Sequence, residues 1–321
     1  MHAGNIARHP RASLAVVFDI APEAAGTAAA EFGCEVAADA GALIRSPSVD
    51  AILIASATET HADYIEMALD AAKPVFCEKP IDLSLERVDR CARVVRAAGM
   101  PVQLGFNRRF DPGHRAARDA VRAGEIGALQ QVIISSRDPG FPPREYLRKS
   151  GGLFRDMTIH DFDMARFMLM DEPVEVFAAA GALLDPTINA EFGDVDSAMF
   201  ILRTADGKQC HINNSRAAAY GYDQRVELFG QKGMLVSGNR TAHEMRRFGG
   251  DCTGAAEPYL NFFVERYQEA FNAEIEAFVD CVERGGEPEV GFEDGRRAQI
   301  LAEAAYRSLA ERRVVGVDEI A

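Results

Sequence analysis

Residues 50–80 read DAILIASATETHADYIEMALDAAKPVFCEKP, and this stretch decides the fold. It opens on an apolar run, residues 50–56, with no polar–apolar alternation. Such a run suits a strand buried on both faces. Thr60 is placed to cap a helix over residues 61–72. A second apolar run, residues 74–80, follows and is cut off by its closing proline. Strand, helix and strand in immediate succession form a βαβ unit with parallel strands.

The pattern repeats outward from this unit. Residues 13–19 (SLAVVFD) form a strand ending in an acid. Residues 22–32 form an Ala-rich helix, with Pro22 suited to its first turn and Gly33 ending it. On the other side, Ser84 caps a helix that runs to Ala98 and stops at Gly99. Residues 101–107 (PVQLGFN) form a fourth strand. Apolar strands alternating with helices predict a doubly wound parallel α/β sheet, covered on both faces, over residues 1–107.

After about residue 125 the pattern changes. A strand over 129–136 and a helix over 152–170 precede strands at 174–184, 197–203, 209–216, 224–229 and 234–237. Ala205-Asp206-Gly207-Lys208 and Gly230-Gln231-Lys232-Gly233 are turns between neighbours, so this sheet is largely antiparallel. Helices over about 259–284 and 293–312 close the chain. Residues 108–321 therefore read as a second, α+β domain.

The chain has 321 residues and a formal net charge of −14. An acidic surface disfavours nucleic acid and anionic lipid as partners. No apolar run approaches the roughly 18 residues a membrane helix needs. The segment MHAGNIARHP lacks the apolar core of a secretory signal, and the chain reads as cytoplasmic. Cysteines at 34, 77, 91, 210, 252 and 281 show no C-x-x-C spacing and read as free thiols.

Three places carry candidate chemistry. Glu78-Lys79-Pro80 sits at the carboxyl end of a strand, where open α/β sheets bind ligands. Lys79 there is either a proton donor to a substrate or half of a surface ion pair with Glu78. Asp156 and His160 are four apart, so on one helix they share a face. A carboxylate beside an imidazole favours the imidazolium, and such a pair exchanges protons with a hydroxyl near neutral pH. The alternatives are a structural hydrogen bond or a metal site with Asp163; no metal is expected. Asp19, ending the strand 13–19, is placed either to accept ribose hydroxyls and repel a 2′-phosphate or to cap the next helix. Thr58 and His61 either line the cofactor or simply start a helix.

Taken together, Ser56-Ala57-Thr58-Glu59-Thr60-His61, Glu78-Lys79-Pro80, Gly105-Phe106-Asn107-Arg108-Arg109-Phe110-Asp111, and Gly151-Gly152 with Asp156 and His160 resemble the glucose–fructose oxidoreductase / inositol dehydrogenase family. The resemblance covers essentially the whole chain. Residues 220–227 (YGYDQRVE) and 262–267 (FFVERY) are similar to the inositol 2-dehydrogenases within it. The resemblance implies an NAD-binding Rossmann domain and a second domain whose open sheet builds a homotetramer. It implies catalytic roles for Lys79, Asp156 and His160. It places Glu78 and Lys79 beside the cofactor, and Asn107, Arg108, Tyr222 and Tyr267 beside the substrate. The implied activity is NAD-dependent oxidation of a cyclic polyol, myo-inositol at C2. The alternatives are another sugar or polyol, or a truncated or regulatory relative without activity.

One departure stands at the front. The family opens with a strand and G-x-G-x-x-G, and this sequence contains no G-x-G anywhere. Met1-His2-Ala3 falls inside the helix that follows that loop. A first strand and loop of about fifteen residues are therefore expected to be absent from the chain. In the order 3-2-1-4-5-6 that strand lies between strands 13–19 and 50–56. Those two are expected to lie apart, and NAD binding to be weak.

Overall fold

Five short strands carry the first of two units in the computed structural model, which describes residues 1–320. They are β1 (Val16–Val17), β2 (Glu35–Val36), β3 (Ile52–Ile54), β4 (Val75–Cys77) and β5 (Val102–Leu104). Helices α1 (His2–Ala7), α2 (Pro22–Phe32), α3 (Ala40–Ile44), α4 (His61–Asp70) and α5 (Leu85–Ala98) alternate with them. These strands pair with one another only in parallel, as the apolar runs predict. The strands form two separate sheets, β1-β2 and β3-β4-β5. No pairing joins β1 to β3.

Each seven-residue apolar run contributes only two or three paired residues. The caps at α2 and α5 follow the sequence reading. Gly33 and Gly99 adopt φ of 70° and 61°, and Ser84 Oγ accepts from the Arg87 amide at 3.4 Å. Thr60 stands at the N-cap of α4, but its side chain makes no capping bond. Its hydroxyl donates to the Ala57 carbonyl at 2.8 Å and lies 2.6 Å from Ser56 Oγ, so it closes the 3₁₀ turn Thr58–Thr60 instead. The short elements β2 and α3 carry no periodicity long enough to be read; Asp39 caps α3 through the Ala42 amide.

The first unit comprises Met1–Phe110 together with Glu269–Arg297. The second segment is mostly α12 (Gln268–Arg284), whose Ile275, Phe278 and Val279 pack on Phe76 of β4, with Ile6, Leu53 and Val282 around them. The sequence boundary at 107/108 assigns 269–297 to the other domain. A helix pattern records which face is apolar but not which sheet that face covers.

The second unit is built on β6 (Leu129–Arg137), β7 (Pro173–Gly181), β8 (Ser197–Thr204), β9 (Gln209–Ser215), β10 (Asp223–Gly230), β11 (Gly233–Ser237) and β14 (Val315–Gly316). Their order is β11-β10-β6-β9-β8-β7-β14, and only β6–β9 is parallel. A small hairpin, β12 (Arg246–Phe248) and β13 (Thr253–Ala256), stands apart. Burial alternates along β8: Ala198, Phe200 and Leu202 point inward, while Met199 and Ile201 are exposed. Such alternation marks a sheet covered on one face.

Helices of this unit are α6 (Pro112–Arg122), α7 (Arg144–Lys149), α8 (Leu153–Asp156), α9 (Thr158–Leu169), α10 (Thr187–Phe192) and α11 (Phe263–Arg266). Phe162 of α9 and Phe154 of α8 meet Phe200 edge-on at 5.2 and 4.9 Å. The helix expected over 152–170 is broken at Met157, between α8 and α9. The helix expected from 259 is likewise only one turn, α11, before α12 begins. The last helix, α13, covers Phe292–Glu311.

Candidate functional site

In the first unit the candidate side chains gather at strand exits. Asp19 follows β1 and is exposed, and its Oδ1 accepts from the Ala21 amide at 2.8 Å. That bond fixes the carboxylate at the turn into α2. Thr58, half-buried, lies in the 3₁₀ turn after β3. His61 is buried between two backbone carbonyls, with Nδ1 2.8 Å from Pro80 and Nε2 3.0 Å from Ser56. It ties the exit of β3 to the exit of β4. Thr58 and Lys79 thus follow neighbouring parallel strands whose exits are tied together.

Glu78 and Lys79 follow β4 directly, and both are half-buried. Glu78 Oε2 accepts from the Lys79 amide at 3.3 Å. Gly105, beyond β5, makes room for the Glu78 carboxylate, which a Cβ there would meet at 2.8 Å. Asn107 and Arg108 sit in the buried 3₁₀ turn Asn107–Phe110. Its neighbour Arg109 pairs with Asp294 at 2.9 Å, which anchors the turn.

In the second unit Asp156 is the last residue of α8, and His160 lies in the first turn of α9. Met157 between them interrupts the regular helix but keeps a right-handed helical backbone, φ −97° and ψ −55°. Side chains distant in sequence hold Asp156. Tyr146 donates to its Oδ1 at 2.6 Å, and Arg216 to its Oδ2 at 3.2 Å. Arg216 is buried and also reaches Asp194 at 3.5 Å. Asp194 Oδ1 accepts from the Leu153 amide at 2.8 Å, at the start of α8. Gly152 has φ of 88°, and a Cβ there would fall 2.5 Å from Tyr306 Oη, so this turn takes glycine.

The remaining candidates have clear places. Asp163, the third member of the alternative metal set, is buried with Oδ1 3.6 Å from Arg166. Tyr222 and Tyr267 are buried together, edge to face at 6.3 Å, with the Arg266 guanidinium 4.6 Å over the Tyr267 ring. Tyr146, Asp194 and Arg216 escaped the sequence reading. Arg216 closes the strand read over 209–216, but nothing in one sequence points it at Asp156.

Both units match known families. Residues 1–106 match the oxidoreductase family with an NAD-binding Rossmann fold, and residues 114–236 match the GFO/IDH/MocA C-terminal domain. The chain is 46% identical over 318 residues to inositol 2-dehydrogenase of Rhizobium meliloti, covering 99% of this chain and 95% of that one. A solved myo-inositol dehydrogenase from Corynebacterium glutamicum superposes with a TM-score of 0.95 at 42% identity, covering 98% and 94% of the two chains. The scyllo-inositol dehydrogenase from Lactobacillus casei, solved with NAD(H) and scyllo-inositol bound, gives 0.91 at 30% identity, covering 99% and 95%. With both units matched and the likeness running nearly end to end, the chain belongs to the GFO/IDH/MocA family of oxidoreductases.

Proposed function

We propose that the protein oxidises a secondary hydroxyl of a cyclic polyol, with NAD as hydride acceptor, and that the substrate is myo-inositol, taken at C2 to the 2-keto product. The near-full-length likeness to inositol dehydrogenases carries this reading. The residues present suit the ribose side of the cofactor, while no G-x-G-x-x-G for its pyrophosphate occurs in the sequence. Asp19 offers an exposed carboxylate at a strand exit, the place a dinucleotide ribose occupies in this fold class. Thr58 offers a hydroxyl at the next exit, His61 braces that exit, and Glu78 and Lys79 close the set.

NAD supplies the hydride acceptor; the proton chemistry belongs to the side chains. His160 takes the proton from the substrate hydroxyl as general base. Asp156, fixed by Tyr146 and Arg216, favours the imidazolium that results. Lys79 donates a hydrogen bond to the substrate oxygen as negative charge develops there. Asn107, Arg108, Tyr222 and Tyr267 complete the substrate set.

The assembly is a cytoplasmic homotetramer joined through the open face of the seven-stranded sheet. On that face Phe177 pairs with Ile201 and Phe229 with Met234, all exposed. Apolar surface of this extent favours a partner. Among the described residues no helix is long and apolar enough to cross a membrane. Light scattering at four protomer masses is the expected result for the assembly. For the activity, NADH formation is measured with myo-inositol, scyllo-inositol and glucose. The highest kcat/KM is expected with myo-inositol. A higher value for either competitor overturns the substrate, and no NADH with any polyol overturns the oxidation.

A further inference from the structure

Three elements of the first unit bring together His2, Glu78 and Glu274. They are the start of α1, the exit of β4 and the second turn of α12. His2 Nε2 lies 2.6 Å from Glu78 Oε1. Ligating atoms of all three residues lie within 4.8 Å of one another. Glu274 is 0% exposed, and neither of its carboxylate oxygens receives a hydrogen bond among the described residues. Its helix neighbours Ile275 and Phe278 pack on Phe76, and the His2 ring meets Phe76 and Phe271 edge-on at 5.4 and 5.8 Å. The surroundings are therefore those of a hydrophobic core.

A charged carboxylate in such a place is costly unless it is paired. Two carboxylates this close do not both ionise readily. Glu78 is the better supported of the two. Its side chain is 23% exposed, it bonds His2, and it accepts from the Lys79 amide. Glu274 has no such support. Burial, and then the negative charge of Glu78, push its carboxyl well above the usual range.

The other titratable groups on these elements do not change the balance. The Cys77 thiol on β4 is also pushed up, by burial and then by Glu78. Gln103 on β5 is uncharged, and it donates to the Glu274 backbone carbonyl at 2.8 Å. On α12 itself, Glu276 and Asp280 face outward, paired with His9 and Arg11.

We propose that Glu274 is carried as a neutral carboxylic acid, and that the absence of a second charge beside it keeps Glu78 seated against the backbone of Lys79. Glu274 is then a positioning residue. It limits the charge at Glu78, Glu78 fixes the Lys79 amide, and the Lys79 side chain acts. The last link rests on the proposed role of Lys79; the protonation state does not.

The pH dependence has a definite sign. The folded chain keeps a proton that the unfolded chain releases above the ordinary glutamate range. Stability tied to Glu274 is thus fully present below the unfolded value and is lost as pH rises through the folded one. Glu274→Gln keeps the shape and stays neutral at every pH. It is expected to melt no lower than wild type at neutral pH, and progressively higher toward alkaline pH. In wild type alone, infrared spectra are expected to show a protonated carboxyl stretch at neutral pH that titrates away on alkalinisation and is missing in Glu274→Gln. Neither readout needs substrate, so a failed activity assay leaves this inference standing. In the active enzyme the alkaline fall of kcat is expected to move to higher pH in Glu274→Gln, with KM unchanged. An absent carboxyl band at neutral pH overturns the proposal. So does a melting deficit in Glu274→Gln that is equal at all pH. A zinc-dependent rise in melting temperature that the variant loses would also overturn it, because the cluster would then hold a cation in place of a proton.

Discussion

The two units satisfy their backbones in different ways. The second runs seven strands, two of them nine residues long, in one continuous ladder. The first has strands of two or three residues in two separate parallel pieces. A long ladder fixes its side chains through its own hydrogen bonds. Short strands depend on what packs over them, here α12 on β4. The chemical groups follow this difference. In the first unit they sit at strand exits and are held by local bonds, such as His61 to two carbonyls and Glu78 to the next amide. In the second, Asp156 is held by Arg216, which lies 60 residues away beyond β9.

The largest effect tests whether both units share the reaction. Lys79→Ala in the first unit and His160→Ala in the second are each expected to lower kcat by ~10²–10⁴-fold, the usual contribution of a general acid–base group. Far-UV dichroism is expected to stay near wild type, since both side chains are only half-buried. Near-normal turnover in one variant would assign the proton chemistry to the other unit alone.

The same contrast explains what the sequence made legible. Residues 50–80 disclosed a parallel unit because buried strands leave an unbroken apolar run, and such a run needs no partner to be recognised. Pro22, Gly33, Ser84 and Gly99 marked helix ends because caps are local chemistry. The break at Met157 was hidden, since residues 152–170 keep an apolar content that fits one helix equally well. Thr60 was read as a cap, yet its hydroxyl closes the turn before α4. The segment 269–297 was placed by chain order, whereas its packing depends on Phe76, nearly two hundred positions earlier. Lys79, Asp156 and His160 stood out by residue type and setting. Their supports, Tyr146, Arg216 and Glu274, did not, because long-range contacts leave no spacing to read.

A smaller effect tests the long-range support itself. Arg216→Met is expected to destabilise the second unit by about 3 kcal/mol, the lower end of the range for breaking a buried ion pair. The lower end applies because the contacts to Asp156 and Asp194 are long, 3.2 and 3.5 Å. The removed cation leaves the buried carboxylate of Asp194 unpaired on that side, and it also releases Asp156. Urea unfolding, followed by hydrogen exchange on β8 and β9, checks both stability and location. If protection is lost equally in the first unit, the two units unfold as one body and the contrast drawn above fails.

The smallest expected effect belongs to the most local support, Asp19. It is exposed and its structural bond is a single contact to the Ala21 amide, so Asp19→Ala should leave folding and kcat with NAD close to wild type. Its charge is another matter. A carboxylate beside the 2′-phosphate of NADP sets like charges a few ångströms apart in a largely hydrated setting, where the repulsion is modest and screened by salt. Removing it is expected to cut the NAD-to-NADP ratio of kcat/KM by roughly tenfold, mostly through KM for NADP, because a fixed repulsion acts on binding and transition state alike. The change should shrink as ionic strength rises, since exposed charges are the ones that salt screens. Steady-state kinetics with both cofactors at two salt concentrations measures it. A ratio unchanged by the substitution would place the ribose elsewhere and return Asp19 to the role its Ala21 bond already shows, a cap on the turn into α2.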